Sequence, residues 1–299
     1  MVEILLYALV AGTLYSLVVL GYSLIYSVLG YVNFAHGEML TISVYLCWLF
    51  NILGFNIFLS ISLSIILCGV IAFLLGKCLM VPARRRSTSA ALIVTIGISI
   101  IIQNIIALLF NADAKAFFPN QFNQNFTLLN VQLKLVSLYS IIIAFILLFI
   151  TWYGLFKRTR IGLEIRACAS NSLASYMFGL RQRQVYGLVF FISGVFAGLA
   201  GIAIGLDNHI ITPTIGFAFG LRAFIASVIG GINNFKGAIA GAFILGLTEN
   251  LLLYAVLSFP FLNFLAPIFS KDIIAIIVLT IALFYKPTGL FTKKIELRP

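Results

Sequence analysis

The chain has 299 residues, of which 62% are hydrophobic and 9% are charged, and it carries a formal net charge of +11. Soluble domains contain about 25% charged residues, so this composition excludes an ordinary water-soluble protein. The positive charge does not indicate nucleic-acid binding, because the basic residues lie in short segments between long apolar runs, as they do in multi-pass membrane proteins.

The apolar runs predict membrane-spanning helices, each of which needs about 20 residues. The runs are continuously apolar and do not alternate with polar residues, which favours helices over barrel strands. We therefore predict an all-α, polytopic transmembrane bundle of eight or nine spans that forms a single domain over residues 1–299. The predicted spans are 4–29, 38–53, 57–80, 88–110, 136–156, 184–205, 237–257 and 267–285.

A shorter apolar segment, 219–230, completes the predicted topology. As a helix it would rise about 18 Å, against a hydrocarbon core of about 30 Å, so we predict a half-helix supported by protein. Fifteen of the nineteen Lys and Arg residues lie in 77–87, 157–183, 231–236 and 286–299. This asymmetry predicts that these segments and the C-terminus are cytoplasmic and that the N-terminus is external. The N-terminal run lacks a basic leader and is expected to remain as a span.

An internal repeat connects the two ends of the chain. Residues 25–37 (IYSVLGYVNFAHG) and 225–237 (IASVIGGINNFKG) agree at six of thirteen positions, although Ile, Val and Gly are common enough here for chance agreement. The repeat predicts two apolar helices, each broken at Gly-x-x-Asn and restarting at the next Gly. Paired broken helices in the two halves of a transporter indicate its transport pathway.

The ionisable side chains within apolar surroundings, together with the two asparagines of the repeat, are candidates for lining that pathway, because charge at bilayer depth is costly and such groups normally face the interior of a bundle. The alternative is structural: Arg222 pairing with Glu249, and His36 serving as a hydrogen-bonded core histidine. The candidate pathway residues are Asn33, His36, Glu38, Arg222, Asn233 and Glu249.

Segment 157–183 contains six basic residues around a short amphipathic stretch, with Ser170 and Asn171 available to cap a helix. It is either a charged surface loop or a coupling helix that docks into a groove of a soluble partner. The residues expected at such a contact are Leu173, Ala174, Tyr176, Met177 and Gly179.

Five glycines at spacings of 7, 4, 3 and 4 fall on one face of a single predicted helix. Glycine seams let two helix backbones approach closely, so we predict a packing seam, with a moving helix–helix gate as the alternative. The seam residues are Gly187, Gly194, Gly198, Gly201 and Gly205.

No catalytic or metal-binding motif occurs in the sequence. The segment nearest to a phosphate-binding loop, Gly69 to Gly76-Lys77-Cys78, has six residues between its glycines and Cys in place of Ser or Thr. The four cysteines show no CxxC spacing. We therefore expect no metal, no cofactor and no nucleotide site in this chain.

Four segments together resemble the LivH-type permeases of branched-chain amino acid ABC importers. Arg222 stands where this family usually has Lys, and Asn233-Asn234 replaces its usual Gly-rich turn. The matching segments are 21–45 with its centre NFAHGE, 158–180 with its core RACA, 193–205 and 220–249.

The resemblance implies a subunit of the bacterial inner membrane that works with several partners by alternating access. These would be a second, LivM-like permease, two cytoplasmic ATPases that use ATP and Mg, and a periplasmic substrate-binding protein. The implied substrates are leucine, isoleucine and valine, although relatives carry other amino acids, urea or short amides. The alternatives are a stand-alone secondary transporter coupled to ions through His36, Glu38 and Glu249, and a membrane scaffold without transport.

Overall fold

The computed structural model describes residues 2–118, 125–128, 131–153, 159–258 and 270–291. Helices make up most of this part of the chain, as the sequence predicts. They are α1 (Val2–Leu29), α2 (His36–Ile52), α3 (Ile57–Leu75), α4 (Val81–Arg86), α5 (Thr88–Phe110), α6 (Leu135–Tyr153), α7 (Arg160–Ser170), α8 (Ser172–Met177), α9 (Gln182–Asn208), α10 (Ile215–Gly230), α11 (Phe235–Ser258) and α12 (Lys271–Tyr285).

Each predicted span corresponds to a helix, and the ends agree to within a few residues. Polar side chains fix several of the starts: Asn56 Oδ1 accepts a hydrogen bond from the Phe58 amide at 3.2 Å, and Ser87 Oγ accepts one from the Ala90 amide at 3.0 Å. Residues 154–156 and 267–269 of the predicted spans lie outside the described residues. A π-helical turn, Gly76–Met80, joins α3 to α4.

Five helices in the described part are long and apolar enough to cross a membrane. They are Glu3–Leu29, Ile57–Arg86, Thr88–Phe110, Gln182–Asn208 and Phe235–Val256. Two of them, α1 and α9, are 72% buried over their most apolar windows and form the centre of the bundle. α1 packs against α9, α10 and α11, and α9 packs against α2 and α3. The remaining helices surround this pair and expose apolar side chains on their outer faces, as expected for a lipid-facing surface.

Both predicted helix breaks are present. α1 ends at Leu29, and Gly30 then adopts a φ of +70° before α2 begins at His36. α10 ends at Gly230, Gly231 adopts a φ of +101°, and α11 begins at Phe235. Glycine supplies these left-handed conformations without steric cost. Both helices restart one or two residues before the predicted glycine, and α10 begins at Ile215 instead of 219, which makes it about 24 Å long.

The two ends of the bundle differ in charge and in secondary structure. One end, called the basic end below, carries residues 77–87, α7, α8, 231–236 and 286–291. At the other end, the connecting segments form two short antiparallel strand pairs. β1 (Lys115–Ala116) pairs with β4 (Ile210–Ile211), and β2 (Asn125–Leu128) pairs with β3 (Val131–Lys134).

The five glycines of α9 lie at close helix–helix contacts. A Cβ on Gly194 would come within 3.0 Å of the Cys68 carbonyl oxygen of α3. A Cβ on Gly201 would come within 2.7 Å of the Leu40 carbonyl oxygen of α2. Gly198 is less constrained, because its Cβ would lie 3.3 Å from the Ser43 hydroxyl. Gly187 faces the Phe73 ring, and Gly205 faces Phe117 and Val44.

These contacts predict different outcomes for two neighbouring alanine substitutions. Gly201→Ala pushes a methyl group into the α2 backbone and should lower the free energy of unfolding by about 1–3 kcal/mol. Gly198→Ala should lower it by less, because its Cβ meets the Ser43 hydroxyl at 3.3 Å and not the backbone, and because alanine favours a helix by about 1 kcal/mol over glycine. Thermal unfolding of the purified protein in detergent measures both. Equal melting temperatures for the two variants would show that the close α2 contact at Gly201 is wrong.

Candidate functional site

His36 occupies the start of α2 and links three helices. Its Nε2 lies 3.2 Å from the Val18 carbonyl oxygen, so this nitrogen must donate, and its Nδ1 lies 3.1 Å from the Ser193 hydroxyl. Ser193 also lies 3.2 Å from the Gly21 carbonyl oxygen. The ring fits because Gly21 has no side chain, since a Cβ there would overlap the imidazole. Tyr22 packs edge-on against it, with ring centroids 4.6 Å apart. His36 therefore joins α1, α2 and α9.

Glu38 lies in the first turn of α2, is fully buried and accepts several hydrogen bonds. Gln103 Nε2 donates to its Oε1 at 2.7 Å and the Ser99 hydroxyl donates to the same oxygen at 3.0 Å. The Thr41 hydroxyl donates to Oε2 at 3.2 Å and accepts from the Gly216 amide at 3.0 Å. These bonds connect α2 to α5 and to the first turn of α10. Three donors offset much of the cost of burying the carboxylate.

The two asparagines of the repeat occupy different environments. Asn33 is buried, and its Oδ1 accepts a hydrogen bond from the Ala35 amide at 3.2 Å, which shapes the turn into α2. Asn33 and His36 also line a small cavity beside this break, together with Ser193. Asn233 is exposed in the turn between α10 and α11. Its neighbour Asn234 instead makes the tertiary contact there, donating to the Phe291 carbonyl oxygen at 2.8 Å.

Arg222 pairs with a residue other than the one expected from the sequence. Its Nε lies 2.8 Å from Asp272 Oδ1, in the first turn of α12, and its guanidinium lies 5.2 Å from the centre of the Phe219 ring. Among the described residues, Asp272 is thus the direct ion-pair partner of Arg222, and Glu249, the partner expected from the sequence, interacts with Arg222 electrostatically without forming an ion pair. Asp272 is preferred because α12 packs against α10 and places this carboxylate beside Arg222.

Glu249 lies at the centre of the bundle on α11 and is fully buried. The Tyr15 hydroxyl donates to its Oε2 at 2.7 Å. Among the described residues, Oε1 has no hydrogen-bond partner. Arg222 interacts electrostatically with both Tyr15 and Glu249, so these residues form one group across α1, α10 and α11. An unsatisfied buried carboxylate oxygen is uncommon in folded proteins and requires an explanation.

The segment expected to contact a partner forms two short helices. Asn171 Oδ1 caps α8 by accepting a hydrogen bond from the Ala174 amide at 2.9 Å. Leu173, Tyr176 and Met177 are 71%, 68% and 79% exposed. Ala174 is half-buried and Gly179 is exposed. Residues 157 and 158 of the predicted segment lie outside the described residues.

Comparison with known proteins decides which family this bundle represents. The family model described as "Branched-chain amino acid transport system / permease component" matches residues 4–283, which is nearly the whole chain. The chain belongs to this family. The predicted family, fold class and transport role are thereby confirmed, and the comparisons do not support the stand-alone transporter. The chain is a multi-pass membrane protein and a transport subunit.

Three relatives illustrate the extent of the match. The high-affinity branched-chain amino acid permease protein BraD of Pseudomonas aeruginosa is 30% identical, with 94% of this chain and 92% of the relative covered. LivH of Salmonella typhimurium is also 30% identical, with 93% and 91% covered. A probable LivH of Methanocaldococcus jannaschii is 27% identical, with 97% and 93% covered. The match therefore covers more than nine-tenths of the length of each of these three relatives.

Several residues that complete the buried networks were missed by the sequence analysis. Ser99 and Gln103 are four residues apart on α5, a polar pair on one face of an apolar helix, and this spacing could have identified them. Tyr15, Ser193 and Asp272 carry no comparable signal, because their partners are distant in sequence.

The ion pair of this permease predicts the result of a double-mutant cycle. Combining Arg222→Gln with Asp272→Asn should give a coupling energy of about 0.5–3 kcal/mol, because the two groups are in contact. Combining Arg222→Gln with Glu249→Gln should give a smaller coupling energy. Thermal unfolding of the four proteins in each cycle measures this difference. A larger coupling for Arg222 with Glu249 would restore the pairing expected from the sequence.

Proposed function

We propose that this chain is the permease subunit of an ATP-driven importer of amino acids, with branched-chain amino acids as the expected substrates. The observation that carries the proposal is the family match over residues 4–283. BraD of Pseudomonas aeruginosa and LivH of Salmonella typhimurium carry that substrate class in their names. Buried polar groups beside two interrupted helices support a transport role, because broken helices in membrane proteins commonly line substrate pathways.

The proposed pathway follows polar residues of the turns at the two breaks and of the helices that flank them. His36, Glu38, Arg222 and Glu249 supply ionisable groups inside an otherwise apolar bundle, and Asn33 shapes the first break. Asn233 is exposed in the turn at the basic end, where it would contact substrate only at the exit of the pathway. Transport would proceed by alternating access.

The proposed orientation places the basic end in the cytoplasm of a bacterial inner membrane. Its support is the concentration of Lys and Arg in the segments of that end. The C-terminus would then be cytoplasmic and the N-terminus external. α7 and α8 would face the compartment where ATP is available.

The proposed assembly contains a second, LivM-like permease, two ATPases and a periplasmic substrate-binding protein. In this arrangement, the ATPases bind ATP and Mg, and this chain holds no cofactor or metal and catalyses no reaction. Within residues 157–183, α8 would act as the coupling helix. Leu173, Tyr176 and Met177 support this role, because these large apolar side chains are exposed along α8, a helix of six residues at the basic end of the bundle.

The docking role of α8 predicts the effect of a charge at its tip. Met177→Asp should reduce both ATPase co-purification and leucine uptake by at least about tenfold, because a desolvated, unpaired carboxylate is costly at a packed contact. Met177→Leu keeps the apolar contact and should behave like the unmodified protein. Both are measured in membranes with equal permease levels. Normal co-purification and uptake in Met177→Asp would remove α8 from the coupling contact.

The proposed orientation can be tested with one introduced cysteine. Phe178 is 87% exposed, and Cys78 is the exposed native cysteine, so Phe178→Cys in a Cys78→Ser background provides a single accessible thiol. An impermeant thiol reagent should label it only after the cells are lysed. Asp113→Cys, at the opposite end, should be labelled in intact cells. The reverse pattern would invert the proposed topology.

A further inference from the structure

Two buried carboxylates in the membrane core differ in how well their oxygens are satisfied. Glu38 receives hydrogen bonds from Gln103, Ser99 and Thr41 on its two oxygens, which is the pattern of a structural charge. Glu249 receives one hydrogen bond, from Tyr15 on Oε2, and its Oε1 has no partner among the described residues. Both side chains are fully buried. Oε1 of Glu249 is thus able to accept a hydrogen bond, and it lies in the buried interior, the environment in which an unpaired charge is most costly.

The group around Glu249 also extends toward the surface. Exposure falls in steps from Asp272, whose side chain is 46% exposed, through Arg222 at 13% and Tyr15 at 2%, to Glu249 at 0%. A carboxylate, a guanidinium, a hydroxyl and a second carboxylate therefore follow one another from the accessible start of α12 to the interior of the bundle. The Phe219 ring lies beside this series of side chains, with its centroid 6.2 Å from that of the Tyr15 ring.

We propose that Glu249 is the point at which the permease holds the protonated α-amine of its amino-acid cargo, through Oε1, while Arg222 holds the cargo carboxylate. The proposal rests on the proposed function. An ammonium group is a compact cation with three donors, which suits a buried carboxylate that has an acceptor to spare. Arg222 already binds a carboxylate, that of Asp272, and the cargo presents the same chemical group. Phe219 and Tyr15 supply an apolar wall for the side chain of the cargo.

The arrangement also explains why acidic and basic residues occur together at this site, where Arg222, Lys271 and Asp272 all act electrostatically on Glu249. With no cargo bound, Asp272 neutralises Arg222 and the Tyr15 hydroxyl partly satisfies Glu249. A zwitterion brings one positive and one negative group together, so it can replace the contact with Asp272 and fill the vacancy at Oε1 without changing the net charge of the bundle. An amine or an acid alone would satisfy half of the site.

The test measures binding by the assembled permease–ATPase complex in detergent, without the binding protein. Thermal stabilisation is recorded with leucine, with isoamylamine, which lacks the carboxylate, and with isocaproate, which lacks the amine. The unmodified complex should respond to leucine and to isoamylamine. Glu249→Gln keeps the side-chain shape but removes the charge. It should raise the concentration of either ligand needed for half-maximal stabilisation by at least about tenfold. Thr248→Val is the matched control, because the Thr248 hydroxyl bonds within its own helix; it should respond normally.

Three results would overturn the assignment: an unmodified complex that ignores isoamylamine, a Glu249→Gln complex that responds normally, or a Thr248→Val complex that loses the same responses. If Glu249→Gln does not assemble, Glu249→Asp decides. This variant keeps the charge but moves it back by one methylene, so a weaker amine response supports the site and an unchanged response refutes it. Failure of the complete, unmodified importer to take up leucine would instead refute the proposed function.

Discussion

A helix that ends at a buried residue leaves its last carbonyl groups without intrahelical donors, and this fold depends on how those groups are satisfied. α1 ends at Leu29 and α10 ends at Gly230, both of them buried, so their free carbonyl oxygens need donors from elsewhere in the protein. At the first break, Arg84 Nε donates to the Leu29 carbonyl oxygen at 2.8 Å. At the second, the Leu290 amide donates to the Ile229 carbonyl oxygen at 2.8 Å and the Phe291 amide donates to that of Gly230 at 3.2 Å. Each break is thus closed by a segment from the basic end of the bundle.

The same requirement explains what the sequence predicts well and what it does not. Continuous apolar runs must become helices in lipid, so hydropathy alone located the spans, and Gly-x-x-Asn located both breaks. The partners of the free carbonyl groups and of the buried charges could not be predicted in this way. Phe291 reaches Gly230 across sixty residues of chain, and Asp272 reaches Arg222 across fifty. Sequence spacing carries no information about such contacts, which is why the sequence indicated Glu249 for Arg222 and missed Asp272, which forms the direct ion pair.

The repeat also holds the two halves together. α2 crosses α10 where Gly37 faces Gly216 and Gly220, and α1 crosses α11 where Gly12 faces Gly246. Under the repeat, α1 corresponds to α10 and α2 to α11, so one crossing is the counterpart of the other. Each half therefore packs its broken pair against that of the other half. Because close backbone contacts tolerate little sliding, the four helices form a connected unit.

This connection limits where the bundle can respond to cargo. His36 and Glu38 tie α2 to α1, α5, α9 and α10 through bonds that leave few acceptors open. Movement there would break several buried hydrogen bonds at once, each costly to leave unmade. The Glu249 group differs, because Oε1 of Glu249 accepts no hydrogen bond within the described part of the chain and the ion pair of Arg222 with Asp272 lies near the surface. The least costly rearrangement of polar contacts is therefore an exchange of partners among Arg222, Asp272 and Glu249. These residues lie away from the α10–α11 turn, which the C-terminal segment holds through hydrogen bonds to Ile229, Gly230 and Asn234.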